Sequence, residues 1–191
     1  CQPFVDGPDN NPISTAEDVF LHLINNARCS VYITTPYLAI DEPMRQALCS
    51  AGDSGVDVRL LLPGIPDHKF AYLAAQSHYG ELLVHHVKIY IYEPGLLHGK
   101  TVLSDGEAAF VGSVNMDYRS FQLHFECGTV LYGVPAIEGL AEDIQRITDR
   151  SRRVTYQEWK SRPWYRKLLS TLLRLFETVS YTHLTLPTKR I

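Results

Sequence analysis

The chain is 191 residues long, 45% hydrophobic and 20% charged, with a formal net charge of −3. That composition supports one globular domain with a sizeable core and excludes an intrinsically disordered polar chain. The acidic balance argues against a broadly nucleic-acid-binding surface, no apolar run reaches bilayer-spanning length, and nothing resembles a signal peptide.

In chain order, Ser14-Thr15-Ala16-Glu17 is a capping box that predicts a helix through about Asn26, followed by a strand over Ser30–Thr34. Asp41 is placed to cap a second helix through about Ala51, and the apolar run 56–62 predicts a buried strand. A third helix is expected over 67–83 and a third strand over 87–92. Strands separated by helices imply parallel neighbours. Residues 100–104 and 108–111 read as the two arms of a hairpin, because Asp105-Gly106 is a turn pair. A strand over 127–131, opened by Glu126, is expected to lie beside that hairpin, and 135–152 to form an amphipathic helix across one face. The order of elements is that of an α/β fold with a mixed sheet.

Residues 98–115 spell HGKTVLSDGEAAFVGSVN, in which six positions fit one template: His98, Lys100, Asp105, Gly112, Ser113 and Asn115. At about 5% frequency per residue type, six fixed positions coincide at roughly one in a hundred million starting points. An imidazole, an ammonium, a hydroxyl and a carboxamide on one short stretch suit attack on a phosphodiester. Strand alternation turns His98 and Lys100 to one face, about 7 Å apart along the backbone. The return arm brings Gly112, where a phosphate can approach the backbone, and Ser113 and Asn115, which can donate to its oxygens. Such an imidazole needs an acceptor at its second ring nitrogen. Glu126 is the candidate, with a solvated strand-end carboxylate as the alternative reading of the spacing.

The H-x-K, D and G-S-x-N pattern resembles the HKD signature of the phospholipase D superfamily. Its flanks narrow the likeness: NMDYRSFQLHFE is similar to the N-x-D-x-R-S-F-x-L-N-F-E segment of bacterial cardiolipin synthases. TPYLAIDEPMRQAL, SGVDVRLLLPGIPDH, YGELL and VKIYIYEPGLLHGK precede the motif in the same manner. Residues 1–178 thus resemble the carboxy-terminal half of such a synthase, a family with two HKD motifs per chain. The resemblance implies an αβα sandwich, a mixed sheet flanked by helices. It implies His98, Lys100, Asp105 and Glu126 as catalytic residues, and Lys100, Ser113 and Asn115 at the substrate phosphate. It implies no metal and no cofactor, because phosphohistidine chemistry requires none. The implied reaction condenses two phosphatidylglycerols to cardiolipin and glycerol, at the bacterial cytoplasmic membrane, with the active site on a soluble domain. One histidine attacks phosphorus while the other protonates the leaving alkoxide. In two-motif relatives the amino-terminal histidine is given the attacking role, which leaves His98 as the proton donor.

The chain departs from the pattern in places. His124 stands where asparagine is usual and Gly99 where alanine is common, and neither is a position the chemistry is expected to require. His86-Val87-Lys88 is a second H-x-K, but Glu93 replaces the aspartate and no G-S-x-N follows. The expected partner is therefore a missing amino-terminal HKD half or a second subunit, and the chain reads as a fragment inactive alone. The alternative is a single-motif homodimeric phosphodiesterase or nuclease of the same superfamily; a catalytically silent scaffold half is a third reading.

The expected organisation is a catalytic half-domain over 1–160, a basic amphipathic helix over 161–179 and a non-native tail over 180–191. WYRKLLSTLLRLF suits either an anionic membrane surface or packing on the domain, while SYTHLTLPTKRI resembles a translated adapter tail. His68, Tyr37 and Arg119 are candidates for substrate contact outside the catalytic set. Cys1, Cys29, Cys49 and Cys127 lack metal-ligand spacing; Cys29, Cys49 and Cys127, at the edges of apolar segments, are expected to be reduced structural thiols, with a disulfide as the alternative reading.

Overall fold

The computed structural model describes residues 1–9, 14–65, 69–164 and 168. It opens with a strand that the sequence pattern did not announce, β1 (Gln2–Asp6). Asp6 is buried at its end, where it accepts from Ser14 Oγ at 3.2 Å and from the Ala16 amide at 2.7 Å. Ser14 in turn accepts from the Glu17 amide at 3.1 Å and so caps α1 (Thr15–Asn25). β2 (Ser30–Thr34) and the short β3 (Leu38–Ala39) lead to α2 (Glu42–Asp53), capped by Asp41, which accepts from the Met44 amide at 3.1 Å. β4 (Asp57–Pro63) follows as a buried run.

The expected third helix is two helices, α3 (Lys69–Ala75) and α4 (Tyr79–Val84). The amides of Ser77 and His78 turn back onto the carbonyls of Ala74 and Ala75, which ends the first helix in a tight turn. Asp67 and His68 lie outside the described residues. Then come β5 (Lys88–Tyr92), β6 (Thr101–Ser104), β7 (Ala108–Gly112), the short β8 (Met116–Asp117) and α5 (Tyr118–Gln122). The chain continues through β9 (Glu126–Tyr132), α6 (Ala136–Asp149), β10 (Ser151–Val154) and α7 (Tyr156–Lys160). The helix expected to reach Arg152 therefore stops at Asp149. Arg152 is instead a strand residue opposite Ile91, because β5 gains ladder hydrogen bonds from β10 along its open side.

Among the described residues, eight strands form one sheet in the order β1-β9-β7-β6-β2-β4-β5-β10, and β3 pairs with β8 apart from it. β2, β4 and β5 are parallel and the remaining pairs of the large sheet antiparallel, as expected of a mixed sheet. Helices α1 and α2 bury Phe20, Leu23, Ile24, Met44 and Leu48 against Ile33, Val58, Leu60, Val102 and Phe110 on one face. On the other face, Ile137 and Ile144 of α6 meet Leu61, Leu103 and Ala109. The sheet thus sits between two helical layers, an αβα sandwich, with burial of each large apolar side chain contributing about 1.5–3 kcal/mol. The Phe110 ring lies 4.9 Å from that of Phe20 and 5.9 Å from that of Phe4, which joins α1 and β1 to the middle of the sheet.

Thr34, Thr101, Val111 and Thr129 form one row across β2, β6, β7 and β9. Lys100 and Gly112 stand one step beyond it, joined by a Gly112 amide to Lys100 carbonyl bond of 3.3 Å. The ends of these strands make a common sheet edge, the usual place for a site in an α/β fold. Cys49 is buried, whereas Cys1, Cys29 and Cys127 are free and exposed, so of the four only Cys49 has the burial of a structural thiol. Most of the basic stretch 164–176, and all of 180–191, lie outside the described residues. Among the described residues no helix is long and apolar enough to cross a membrane.

Candidate active site

His98 and Lys100 lie just before β6, and the short spacing between them lets the lysine fold back. Lys100 Nζ sits 2.9 Å from His98 Nδ1 and 2.9 Å from the His98 carbonyl oxygen. An ammonium has only protons to give, so Nδ1 is the acceptor and the imidazole proton is on Nε2. The Tyr37 ring stands edge-on to His98 with centroids 6.5 Å apart. Behind them, the Thr34 and Thr101 hydroxyls meet at 2.8 Å, and a Cβ at Gly99 would come within 3.2 Å of Thr34 Oγ1.

Ser113 and Glu126 face each other where β7 and β9 end. Ser113 Oγ hydrogen-bonds the Glu126 carboxylate, and also accepts from the Cys127 amide at 3.0 Å. Glu126 is only 7% exposed, and its second oxygen lies 3.9 Å from Nδ1 of His124. The expectation that Glu126 holds His98 is therefore not what the geometry shows. Lys100 occupies the His98 ring nitrogen, and the imidazole beside Glu126 is that of His124.

Asn115 precedes β8, in the loop tied down by the Met116 amide, which donates to Thr35 Oγ1 at 3.1 Å. Its Nδ2 donates to Ser120 Oγ at 3.0 Å, while Oδ1 is buried with no hydrogen-bond partner among the described residues. Asp117 caps α5 by accepting from the Ser120 amide at 2.8 Å, and burial pushes its carboxyl above the usual range. Arg119 is exposed, and its carbonyl accepts from the His124 amide at 2.9 Å.

Asp105 is not part of this cluster. It sits at the opposite end of β6, roughly 16 Å from Lys100 at strand rise. Its carboxylate accepts from the amides of Arg28, Cys29 and Ser30 at 2.8, 2.8 and 2.7 Å. Burial opposes its ionisation, but these three donors prevail and hold the carboxyl below its ordinary range. Both Asp105 and Gly106 adopt positive φ, 53° and 70°, as this turn demands. Spacing alone could not show that a strand's length separates Asp105, expected among the catalytic residues, from the His98 imidazole.

Four of the expected site residues, Lys100, His98, Ser113 and Glu126, therefore line one sheet edge, with Asn115 in the loop above. Among the described residues no three His, Cys, Asp or Glu side chains gather as a metal site. What the sequence reading set aside is His124. It lies two residues before Glu126, in the bend that leads from α5 into β9.

Comparison with known proteins places this arrangement. The family profile described as "Cardiolipin synthase, PLD-like domain" matches residues 20–148. A cardiolipin synthase of Halalkalibacterium halodurans is 36% identical over 174 residues, 91% of this chain and 34% of that protein. The chain thus spans about a third of the length of the curated relatives it matches. Among solved structures, Nuc of Salmonella typhimurium, a phospholipase D family member, superposes with a TM-score of 0.65 at 21% identity. The match covers 81% of this chain and 99% of Nuc. The phosphatidylserine synthase of Haemophilus influenzae gives 0.69 at 17% identity, over 94% of this chain and 45% of the other. These structures share the fold. With the profile covering more than half of the chain, the protein belongs to the phospholipase D-like family of cardiolipin synthases.

Proposed function

We propose that this chain is the second HKD half of a phosphatidyltransferase that condenses two phosphatidylglycerols to cardiolipin and glycerol through a phosphohistidine. The observation that carries the reading is the Lys100–His98 contact at the sheet edge, set beside Ser113, Asn115 and Glu126. Because Lys100 donates to Nδ1, His98 presents an Nε2 proton, which suits the donor that protonates the leaving glycerol alkoxide. The attacking imidazole then comes from the missing amino-terminal HKD half or from a second subunit. Lys100 carries the charge that neutralises the phosphoryl oxygens, and Ser113 and Asn115 supply hydrogen bonds as negative charge builds. Asp105 serves as a positioning residue that fixes the far end of the hairpin. A lipid substrate calls for contact with the bacterial cytoplasmic membrane, the basic segment 161–179 being the part of the chain suited to it.

The test is conversion of labelled phosphatidylglycerol by purified full-length enzyme, comparing wild type with His98→Ala. Loss of both cardiolipin and released glycerol is expected. Undiminished cardiolipin formation by the variant would sink the proposal. One observation favours a second reading, a homodimeric phosphodiesterase or nuclease: the fold accounts for 99% of the Nuc chain, so a domain of this size occurs as a complete chain. That reading predicts a symmetric dimer with His98 of each subunit at the interface.

A further inference from the structure

We propose that Thr35 is a positioning residue of this site: its one buried hydroxyl couples the segment that carries Tyr37 to the segment that carries Asn115. The inference rests on the phosphodiester reading of the 98–115 segment and deepens it. Thr35 follows β2 and is 1% exposed, and its amide donates to the Leu61 carbonyl of β4 at 3.3 Å, which fixes its backbone to the main sheet. Its Oγ1 donates to the Tyr37 carbonyl at 2.8 Å and accepts from the Met116 amide at 3.1 Å. An amide can only donate and a carbonyl only accept, so the single hydroxyl proton is committed to Tyr37 and a lone pair to Met116.

Each tie leads to a residue of the site. The Tyr37 ring stands edge-on to the His98 imidazole, with centroids 6.5 Å apart. Met116 directly follows Asn115, whose Nδ2 donates to Ser120 Oγ at 3.0 Å. The same two segments also meet where β3 and β8 pair in parallel, Leu38 with Met116 and Ala39 with Asp117, apart from the large sheet. A pairing of two residues per strand is marginal by itself. Pro36, between Thr35 and Tyr37, has no amide to offer, so the Thr35 side chain supplies a bond that the backbone there cannot.

The surroundings make the hydroxyl hard to replace. Pro36, Leu38 and Met116 are buried, and a Met116 amide or Tyr37 carbonyl left without its partner there forfeits a hydrogen bond that water does not readily restore. Without the hydroxyl the two segments move apart until solvent enters, which carries the Tyr37 ring away from His98 and shifts Asn115. A misplacement of about 1 Å is enough to cost about 100-fold in turnover.

The experiment compares full-length wild type with Thr35→Val, which keeps the shape and loses the hydroxyl, and Thr35→Ser, which keeps the hydroxyl. With labelled phosphatidylglycerol, kcat per folded molecule should fall about 10- to 100-fold in Thr35→Val with KM moved less, while Thr35→Ser stays within a few-fold of wild type. Hydrogen exchange at the Met116 amide should quicken in Thr35→Val alone. In histidine-labelled protein the His98 ring resonances should shift in that same variant, because the nearby tyrosine ring contributes a ring current to them. A purely structural role would lower the melting temperature and leave kcat per folded molecule and the His98 resonances where they are. That result overturns the proposal, as does a Thr35→Ser enzyme no better than Thr35→Val. If Thr35→Val does not fold, Thr35→Cys takes its place, with an intermediate loss expected because a thiol is a weak donor and a weak acceptor. Wild-type enzyme that converts no phosphatidylglycerol refutes the lipid reading instead; the His98 resonances need no substrate and still decide the role of Thr35.

Discussion

Replacing Asp105 by alanine separates an anchoring role from a catalytic one. The substitution removes three charge-assisted acceptors from the amides of Arg28, Cys29 and Ser30. The Arg28 and Cys29 amides belong to exposed residues and recover water, so each loss costs about 0.5–1 kcal/mol; the partly buried Ser30 amide costs about 1.5–2. Alanine also tolerates φ of 53° less well than aspartate, by about 0.5–1 kcal/mol. The total is about 3–5 kcal/mol, or roughly a 6–20 °C fall in Tm for a domain of this size. Urea unfolding of Asp105→Ala should show this loss, with Asp105→Asn about half as affected because one oxygen still accepts. The folded carboxyl ionises below its ordinary value of 3.8, so its contribution is complete above that pH and is lost as pH falls through the folded value. The wild-type advantage over Asp105→Asn should therefore vanish in strong acid. Turnover per folded molecule should be close to wild type at low temperature. Unchanged stability with abolished turnover would refute the reasoning and return Asp105 to the catalytic set.

Three further outcomes follow from the packing. Gly112→Ala would place a Cβ 2.4 Å from the Cys127 carbonyl oxygen and 2.7 Å from the Gly128 Cα, both backbone, so a loss of about 1–3 kcal/mol is expected in thermal unfolding. Phe110→Ala empties the ring position between Phe4 and Phe20 and should cost about 3–5 kcal/mol in denaturant titration. Glu17 is pushed up to about 7 by burial and by Asp41 beside it. The folded chain then binds more protons than the unfolded chain between the usual carboxylate range and pH 7. Stability must fall as pH rises through that window. Glu17→Gln should flatten this part of the curve; an unchanged slope would exclude the Glu17–Asp41 pair as its cause.

Local signals carried much of the fold. Ser14 and Asp41 announce α1 and α2 because a side-chain oxygen at an N-cap acts within three residues, and the apolar runs of β2, β4 and β5 declare their own burial. What stayed hidden depends on distant partners. β1 has the burial pattern of an edge strand only because β9 lies beside it, and β10 interrupts a helical pattern because β5 offers it a ladder. The Gln76–His78 turn between α3 and α4 carries neither glycine nor proline.

The site divides in the same way. The composition of the 98–115 motif was legible at the level of chemistry, since residue types and alternation fix what His98 and Lys100 can do. Which side chain holds which was not. Asp105 belongs to the motif through the β2 entry it anchors, seventy-odd residues away in sequence. Glu126 was identified as an orienter, but the imidazole beside it is two residues upstream in the chain and not the one in the motif.

The most direct test is a crystal structure of the protein with vanadate, a mimic of a phosphoryl group in transfer. The anion is expected at His98 Nε2 beside the Ser113 hydroxyl, with Lys100 and Asn115 on its oxygens and Asp105 a strand's length away. An anion bound elsewhere, or one coordinated by Asp105 in place of His98 and Lys100, would contradict the account.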